Sequence, residues 1–555
     1  MTETLKIIFL ILAFAVALII RARSLKRKTQ RALKENWGTE QMLKKPDKEI
    51  LEDIASYWQI KEKCIPREET IDTITWNDLN MDDLYRRIDS TVSITGSECL
   101  YAALHYTGTC EENIKRRQDM ADAFQDDEET RFSVQKALQK ISHAHFHGAH
   151  RYLLNASFQM PEKRWLFFAL RMALIFFALG GIFIHQLWIG AIVLMAVNAV
   201  VCYRMSPLWA NDEAALKYFA SIINAAQSIA KMDQPAIFQE TNKLRKLLRP
   251  LRPIKYWTHL FFDSGATTVE QFLIAYLKMF LFMDELAIER VIKHLEKKND
   301  LLTELIETVG EMDIALAVAQ LKHRMDGYCT PTFHIDYMLN AENLKHPLVK
   351  NCVGNSLMFN RHILLAGSNA SGKSTFMKAV AINAILAQTL GLCFADKFSM
   401  PRAQVLTSMA IRDDVQSGES YFIKELKSLS RMIKASNAAK RVSLCFIDEI
   451  LRGTNTEERI AASSALLMHM ADQPLLCMAA THDKELTQLL KRKYQNMHFR
   501  EEIENGQMFF TFKLHNGPST TQNAIRLMKT MGFEETLVRE AEERAKRYEE
   551  SGIWS

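Results

Sequence analysis

The sequence predicts an α/β domain that follows a mostly helical region, and that region carries an inserted transmembrane helical hairpin. Three observations predict it. A short apolar strand, HILLA at 362–366, runs into the loop GSNASGKST at 367–375 and then into an apolar-periodic stretch from Phe376 to Leu392. A second apolar strand, VSLCFIDEI at 442–450, ends in two acids. Two long apolar runs, 165–184 and 187–203, are separated only by His185 and Gln186.

The chain has 555 residues, which suggests two or three structural units. With 48% apolar residues it can bury a large core. A net charge of +5 is too small for this size to argue nucleic-acid binding. The nine cysteines form no CxxC pair. Such a scattered, odd set reads as buried thiols in a reducing compartment, not as a disulfide frame. No stretch has the composition of a flexible linker, and no internal repeat is visible.

Residues 7–20 are uncharged and apolar. As a helix they rise only about 21 Å, short of the roughly 30 Å hydrocarbon core. The charges Arg21, Arg23, Lys26, Arg27 and Lys28 follow the run instead of preceding it. An uncleaved anchor with its carboxyl end in the cytoplasm fits this order better than a signal peptide. A basic juxtamembrane segment, 23–74, comes next.

The hairpin runs are flanked by Lys163, Arg164 and Arg204. Positive charge at both outer ends places both in the cytoplasm and the His185 tip outside. Arg171 lies inside the first run and would cost about 2.5–3.5 kcal/mol at the bilayer centre. Two turns from the edge, it is expected to reach the headgroups. A buried soluble hairpin would keep a polar stripe, and these runs show none. FLIAYLKMFLFM at 272–283, short and interrupted by Lys278, reads instead as a core helix.

Helical spacing dominates 75–160 and 205–330. ELAIERVIKHLEKKNDLLTELIETV, near 285–309, suggests one long helix with a solvent edge. HAHFHGAH, with His143, His145, His147 and His150, has no acidic or cysteine partner nearby and reads as a polar surface run, not a zinc site. The basic run KLRKLLRPLRPIKYW at 243–257 suits DNA phosphates, anionic lipid or a solvated face equally.

The loop Gly367–Ser374 fits GxxxxGK[ST] between strand and helix. Its residues Gly367, Ser368, Asn369, Ala370, Ser371, Gly372, Lys373, Ser374 and Thr375 should cradle phosphate with backbone N–H groups at a helix N-terminus. Lys373 should reach the β- and γ-phosphates of ATP, and the Ser374 hydroxyl should bind Mg²⁺. Asp448, at the edge of a central strand, should hold Mg²⁺ through water. Glu449 is placed to deprotonate the attacking water. CMAATHDKE, another strand, ends with Thr481 and His482, the latter positioned to sense the γ-phosphate.

The order of these motifs identifies a resemblance. Residues 346–530 resemble the ATPase domain of MutS-type mismatch-repair proteins, a branch of the ABC ATPases. His346-Pro347-Leu348-Val349 looks like the family's lead-in, and Asn369 matches its distinctive loop asparagine. DDVQSGESYF at 413–422 looks like the signature segment, DEILRGTNT at 448–456 like Asp-Glu-x-Gly-Arg-Gly-Thr-Ser-Thr, and ATHDKELT like the histidine switch. Upstream, DLYRRIDSTVSITGSECLYAALH at 83–105 and VGEMDIALAVAQLKHRMDGYCTPTF at 309–333 resemble the family's lever domain. GPSTTQNAIRLMKTMGF and the charged helix after it are similar to the C-terminal helix-turn-helix used for dimerisation.

The resemblance implies an ABC-type P-loop fold preceded by an all-α lever domain. It implies a homodimer with composite sites, in which Ser420 reaches the partner copy's γ-phosphate while Lys373, Ser374, Asp448, Glu449 and His482 act in cis. Asn455 would line the seam. It also implies DNA as a ligand. The departures concern the far end: no counterpart of the mismatch-reading wedge or the connector domain is visible, and the hairpin stands where relatives carry a DNA clamp. Ser368, Ala370 and Leu451 replace a proline, a methionine and a glycine without removing a ligand. The expected divisions are an anchor (1–22), the juxtamembrane segment (23–74), lever (75–164), hairpin (165–204), lever (205–345), ATPase (346–515) and dimerisation segment (516–555). A multi-pass inner-membrane protein with a cytoplasmic ATPase follows. The alternatives are an ABC-type transporter, disfavoured by Ser-Gly-Glu-Ser and too few spans, or a nucleotide-gated membrane scaffold for a protein partner.

Overall fold

The computed structural model describes residues 27–141, 164–254, 276–367, 371–409, 421–518 and 531–551, apart from a few isolated positions. The anchor at 7–20, the histidine run, Ser368, Asn369, Ala370 and Ser420 lie outside the described residues. The chain forms two compact units, each discontinuous in sequence. The first comprises 1–64, 88–102 and 116–324; the second comprises 65–87, 103–115 and 325–555. Residues 65–87 and 103–115 thus fold with the C-terminal half.

The first unit is helical. Its elements include α1 (Lys48–Lys61), α2 (Glu128–Leu138), α3 (Arg164–Phe183), α4 (Leu187–Ala230), α5 (Phe238–Leu248), α6 (Met283–Leu295) and α7 (Asn299–Arg324). The long helix read at 285–309 is two helices, and α7 is a buried core helix, not one with a solvent edge: Leu305, Ile306, Val309, Met312 and Ala315 are all fully buried. Asp313 on α7 is buried and accepts from Val92 N (2.7 Å), Ser93 N (2.8 Å) and Ser93 Oγ (2.6 Å). Helices come this close only with glycine at the contact: a Cβ on Gly96 would meet Asp313 Oδ2 at 2.1 Å.

Helices α3 and the first part of α4, to Met205, are long and apolar enough to cross a membrane. They present Phe168, Phe176, Ile189, Ile192 and Val193 outward. Beyond Pro207, α4 continues unbroken to Ala230 and turns its apolar face inward, burying Leu216, Phe219, Ile222, Ile223 and Ile229. An outward apolar stretch and a buried stretch thus share one helix.

Two expectations fail here. Arg171 does not extend to a surface. It is buried, and it donates from Nε to Leu281 O (2.7 Å) and from Nη2 to Phe282 O (2.9 Å) and Glu285 Oε2 (3.0 Å). Local partners satisfy the charge better than a distant headgroup. The described part of the supposed core helix at 272–283 is half exposed, with Tyr276 at 55% and Leu277 at 50%.

The second unit is α/β. Its strands are β1 (Thr332–His334), β2 (Leu339–Leu344), β3 (Asn355–Phe359), β4 (His362–Ala366), β5 (Lys397–Pro401), β6 (Ala403–Ser408), β7 (Val442–Asp448), β8 (Leu475–Thr481), β9 (Tyr494–Glu504) and β10 (Gln507–Asn516). A small sheet has order β1-β5-β2-β3, and the main sheet β10-β9-β4-β8-β7-β6. In the main sheet β9, β4, β8, β7 and β6 are parallel, with β10 antiparallel at one edge. The inner strands are apolar throughout, as a parallel sheet covered on both faces requires. Helices α8 (Lys373–Thr389), α9 (Tyr421–Ala438) and α10 (Thr456–Ala471) cover it.

The β6 edge is covered by the helix Thr73–Asp78. Asp78 accepts from Thr407 Oγ1 (2.7 Å) and Met409 N (2.9 Å), and Thr75 Oγ1 accepts from Thr407 N (3.2 Å). Arg431 and Arg441 pair with Asp72 and Glu69. Covering an exposed strand edge removes a site for unwanted pairing and explains why this early segment belongs to the second unit.

Candidate functional site

Three strand ends meet. The register pairs Ala366 of β4 with Thr481 of β8, and Asp448 of β7 with Ala480 of β8. The phosphate loop, the carboxylate pair and the histidine therefore project from one edge of the sheet, where ligands of open α/β folds bind. Gly367 takes φ +140° and Gly372 φ +102°. A Cβ on Gly367 would stand 2.9 Å from Ser371 Oγ and 3.0 Å from Phe499 O, so this loop tolerates only glycine there.

Lys373, the first residue of α8, is buried and donates to Gly367 O at 2.6 Å. Its Nζ lies 3.4 Å from His482 Nε2, which in turn lies 2.8 Å from Glu449 Oε1. Ser374 hydrogen-bonds the Asp448 side chain. Burial raises the Asp448 carboxyl above its usual range, opposed by the Ser374 bond and by the Lys373 charge. One carboxylate and one hydroxyl make an oxygen donor set, which suits Mg²⁺: that ion keeps several waters and takes one or two protein ligands plus phosphate.

The turn after β7 is unusual. Glu449 and Leu451 have φ +53° and +55°, a left-handed region costly for residues with a Cβ. Two interactions hold it. Leu451 is buried in the apolar cluster formed with Leu429, Met432, Leu467 and Leu486. Glu425 of α9, also buried, accepts from the backbone N–H groups of Leu451 and Arg452. Glu425 was not singled out from sequence. An acid four residues into an amphipathic helix gives no sign that it faces inward.

Two further groups surround the site. A cleft of about 200 Å³ beside Glu449 and His482 is lined by Arg452, Arg459 and Asp483. Arg459 binds Asp483 in bidentate fashion (3.0 and 2.7 Å), and Arg452 lies 3.1 Å from Glu449. On the other side of the loop a cavity of about 340 Å³ is lined by His346, Val349, Cys352, Thr375, Phe499 and Phe512. Burial, with Lys378 and Arg87 nearby, lowers His346 to about 4, and its Nδ1 accepts from Leu348 N at 3.1 Å. Asn455 caps α10 by accepting from Glu458 N at 2.9 Å.

A parallel sheet with a glycine-bearing strand–loop–helix turn, adjacent carboxylates and a strand-end histidine fits an α/β ATPase domain. Residues 363–549 match the family model MutS domain V. The DNA mismatch repair protein MutS of Lactobacillus delbrueckii subsp. bulgaricus is 31% identical over 264 residues, covering 45% of this chain and 30% of that protein. The MutS of Pseudothermotoga lettingae is 30% identical over 266 residues (46% and 32%). The MutS of Lactobacillus helveticus is 28% identical over 351 residues (60% and 39%). The chain thus spans between 30% and 39% of the length of these relatives.

Proposed function

We propose that this chain is a membrane-anchored MutS-type ATPase that hydrolyses ATP with Mg²⁺ at a site completed by a second copy of itself and acts on DNA. The meeting of Ser374 with Asp448, and of Lys373 with His482 and Glu449, carries this reading. Lys373 neutralises the β- and γ-phosphates, and the backbone of 367–375 cradles them. Ser374 and Asp448 would hold Mg²⁺, which spreads charge off the phosphates when bound. Glu449 Oε1 accepts a proton from the water whose oxygen attacks the γ-phosphorus, while the bond to the β–γ bridging oxygen breaks and ADP leaves. His482 orients Glu449 through their hydrogen bond. The apolar cavity beside Thr375 and Phe512 is sized for the base. Ser420 supplies the trans contact.

The anchoring rests on the outward apolar faces of α3 and α4. Trp165 (69% exposed) and Tyr203 (82%) stand at the open end of the hairpin and Trp188 at its tip. That is the placement of aromatic belts at two interfaces. DNA is proposed because the relatives are mismatch-repair proteins. The basic helix α5 supports it less, since Lys243 and Arg245 are ion-paired with Glu304 and Asp233.

Detergent-solubilised protein should release phosphate from ATP only with Mg²⁺. Glu449→Gln should keep nucleotide binding and lose turnover by about 10²-fold or more; normal turnover would refute the assigned base. DNA affinity should fall steeply as salt rises, and a flat dependence would exclude DNA as the ligand. The protein should stay with membranes through an alkaline wash, and recovery from cytosol without detergent would end the anchoring proposal.

A further inference from the structure

The hairpin carries two polar residues that are not surface groups. Arg171 on α3 and Asn198 on α4 both turn inward and are buried. Both donate to consecutive backbone carbonyls of one neighbouring segment. Asn198 Nδ2 bonds Phe280 O (2.7 Å), Arg171 Nε bonds Leu281 O (2.7 Å), and Arg171 Nη2 bonds Phe282 O (2.9 Å). Residues 276–281 are helical, and Phe282 leaves the helix at φ +48°. Phe280 O and Leu281 O are the last carbonyls of this helix, the groups that its own donors leave unpaired; Phe282 O, in the turn that follows, also accepts from Leu286 N (3.3 Å) at the start of α6.

Their depth follows from the helix rise. Arg171 lies six residues past Trp165, about 9 Å along α3; Asn198 lies five residues before Tyr203, about 8 Å along α4. Both caps therefore sit at one level, well inside the belt that the two exposed aromatics mark. A second measure agrees. Arg164 pairs with Glu289 (3.5 Å) and Arg171 with Glu285 (3.0 Å), so α6 runs antiparallel to α3 and its amino end reaches Arg171's height. Phe282 packs on Phe167 of α3, with ring centroids 5.1 Å apart. Tyr276, stacked on Phe280, and Leu277 point away from the protein.

We infer that residues 276–282 form a third bilayer-embedded element, which meets lipid through Tyr276 and Leu277 and is capped at its carboxyl end by Arg171 and Asn198. This rests on the hairpin crossing a bilayer. Carbonyls at that depth have no water to bond, so helix ends survive there only with donors from neighbouring segments. The Arg171 charge is tolerated for the same reason: Glu285 and two carbonyls surround it. The pair also ties the hairpin to the start of α6.

The test uses the full chain in proteoliposomes, with the photoreactive residue p-benzoylphenylalanine placed singly at Phe176 on the hairpin, at Tyr276, and at Phe238 on α5. All three positions are exposed and the introduced residue keeps an aromatic ring at each; Leu277 serves as a repeat of the measurement at 276. After illumination, lipid adducts at 276 should come within about twofold of those at 176 and stand well above those at 238. Adducts at 176 with 276 and 277 at the level of 238 would overturn the inference and leave the hairpin reading intact. Adducts at 176 no higher than at 238 would overturn both.

Discussion

Glu425 offers a direct test of how the turn that carries Glu449, the proposed base, is held. In Glu425→Ala the Leu451 N–H loses its only described acceptor inside the apolar cluster. Arg452 is exposed, so water can replace its bond; the loss is chiefly that of one buried donor, about 1–3 kcal/mol. The turn is strained at Glu449 and Leu451, so part of that energy is recovered by letting it relax, and Glu449 then leaves its place beside His482. A displacement near 1 Å at a reacting group costs up to about 10² in rate. Glu425→Ala should therefore lower kcat by about ten- to a hundredfold, with nucleotide affinity nearly unchanged. Glu425→Gln keeps an acceptor oxygen and should restore most of the rate. Burial raises this carboxyl above its ordinary 4.5, so its contribution to stability is full below that value and is lost as pH rises through its raised value. Glu425→Gln should consequently lose less stability than wild type between pH 4.5 and 8. Phosphate release, nucleotide titration and thermal melting read these separately. Wild-type kcat in Glu425→Ala, or equal damage in Glu425→Gln, would refute the clamp.

Further outcomes concern the rest of the molecule. Asp313→Ala should destabilise the helical unit by about 3–5 kcal/mol, because three donors and the nearby Lys44 lose a buried carboxylate; a melting temperature within a degree or two of wild type would contradict this. His346 is held neutral with its value lowered from 6.5 to about 4, so the unfolded chain takes up a proton first and stability should drop by about 3 kcal/mol as pH falls from 6.5 to 4. His346→Gln should flatten that slope in a pH series of melts, and an unchanged slope would assign it to other groups.

The loop and strand ends proposed to hold nucleotide were legible because their pattern is local. Gly367, Gly372, Lys373 and Ser374 sit in one loop whose geometry demands those residues at that spacing, and strand patterns flank Asp448 and His482. The parallel core was equally plain, since fully apolar strands ending in polar residues have few other uses. Leu451 shows the limit. The chain alone does not say that a leucine adopts the left-handed conformation there, because burial and a carboxylate from α9 hold it. Arg171 shows the same limit in the hairpin: hydropathy registers a charge among apolar residues but not the carbonyls and the acid more than a hundred residues away that receive it.

Periodicity, loop chemistry and charge flanks were enough to establish an α/β half, a helical half and an apolar hairpin, because each depends on neighbours within a turn or a strand. Which segments fold together, which edge needs covering, and how Arg171, Asn198, Glu425 and Asp313 find partners depended on the assembled chain. Those contacts join residues tens to hundreds of positions apart, and a buried polar group records in the sequence only that it is polar, never what satisfies it.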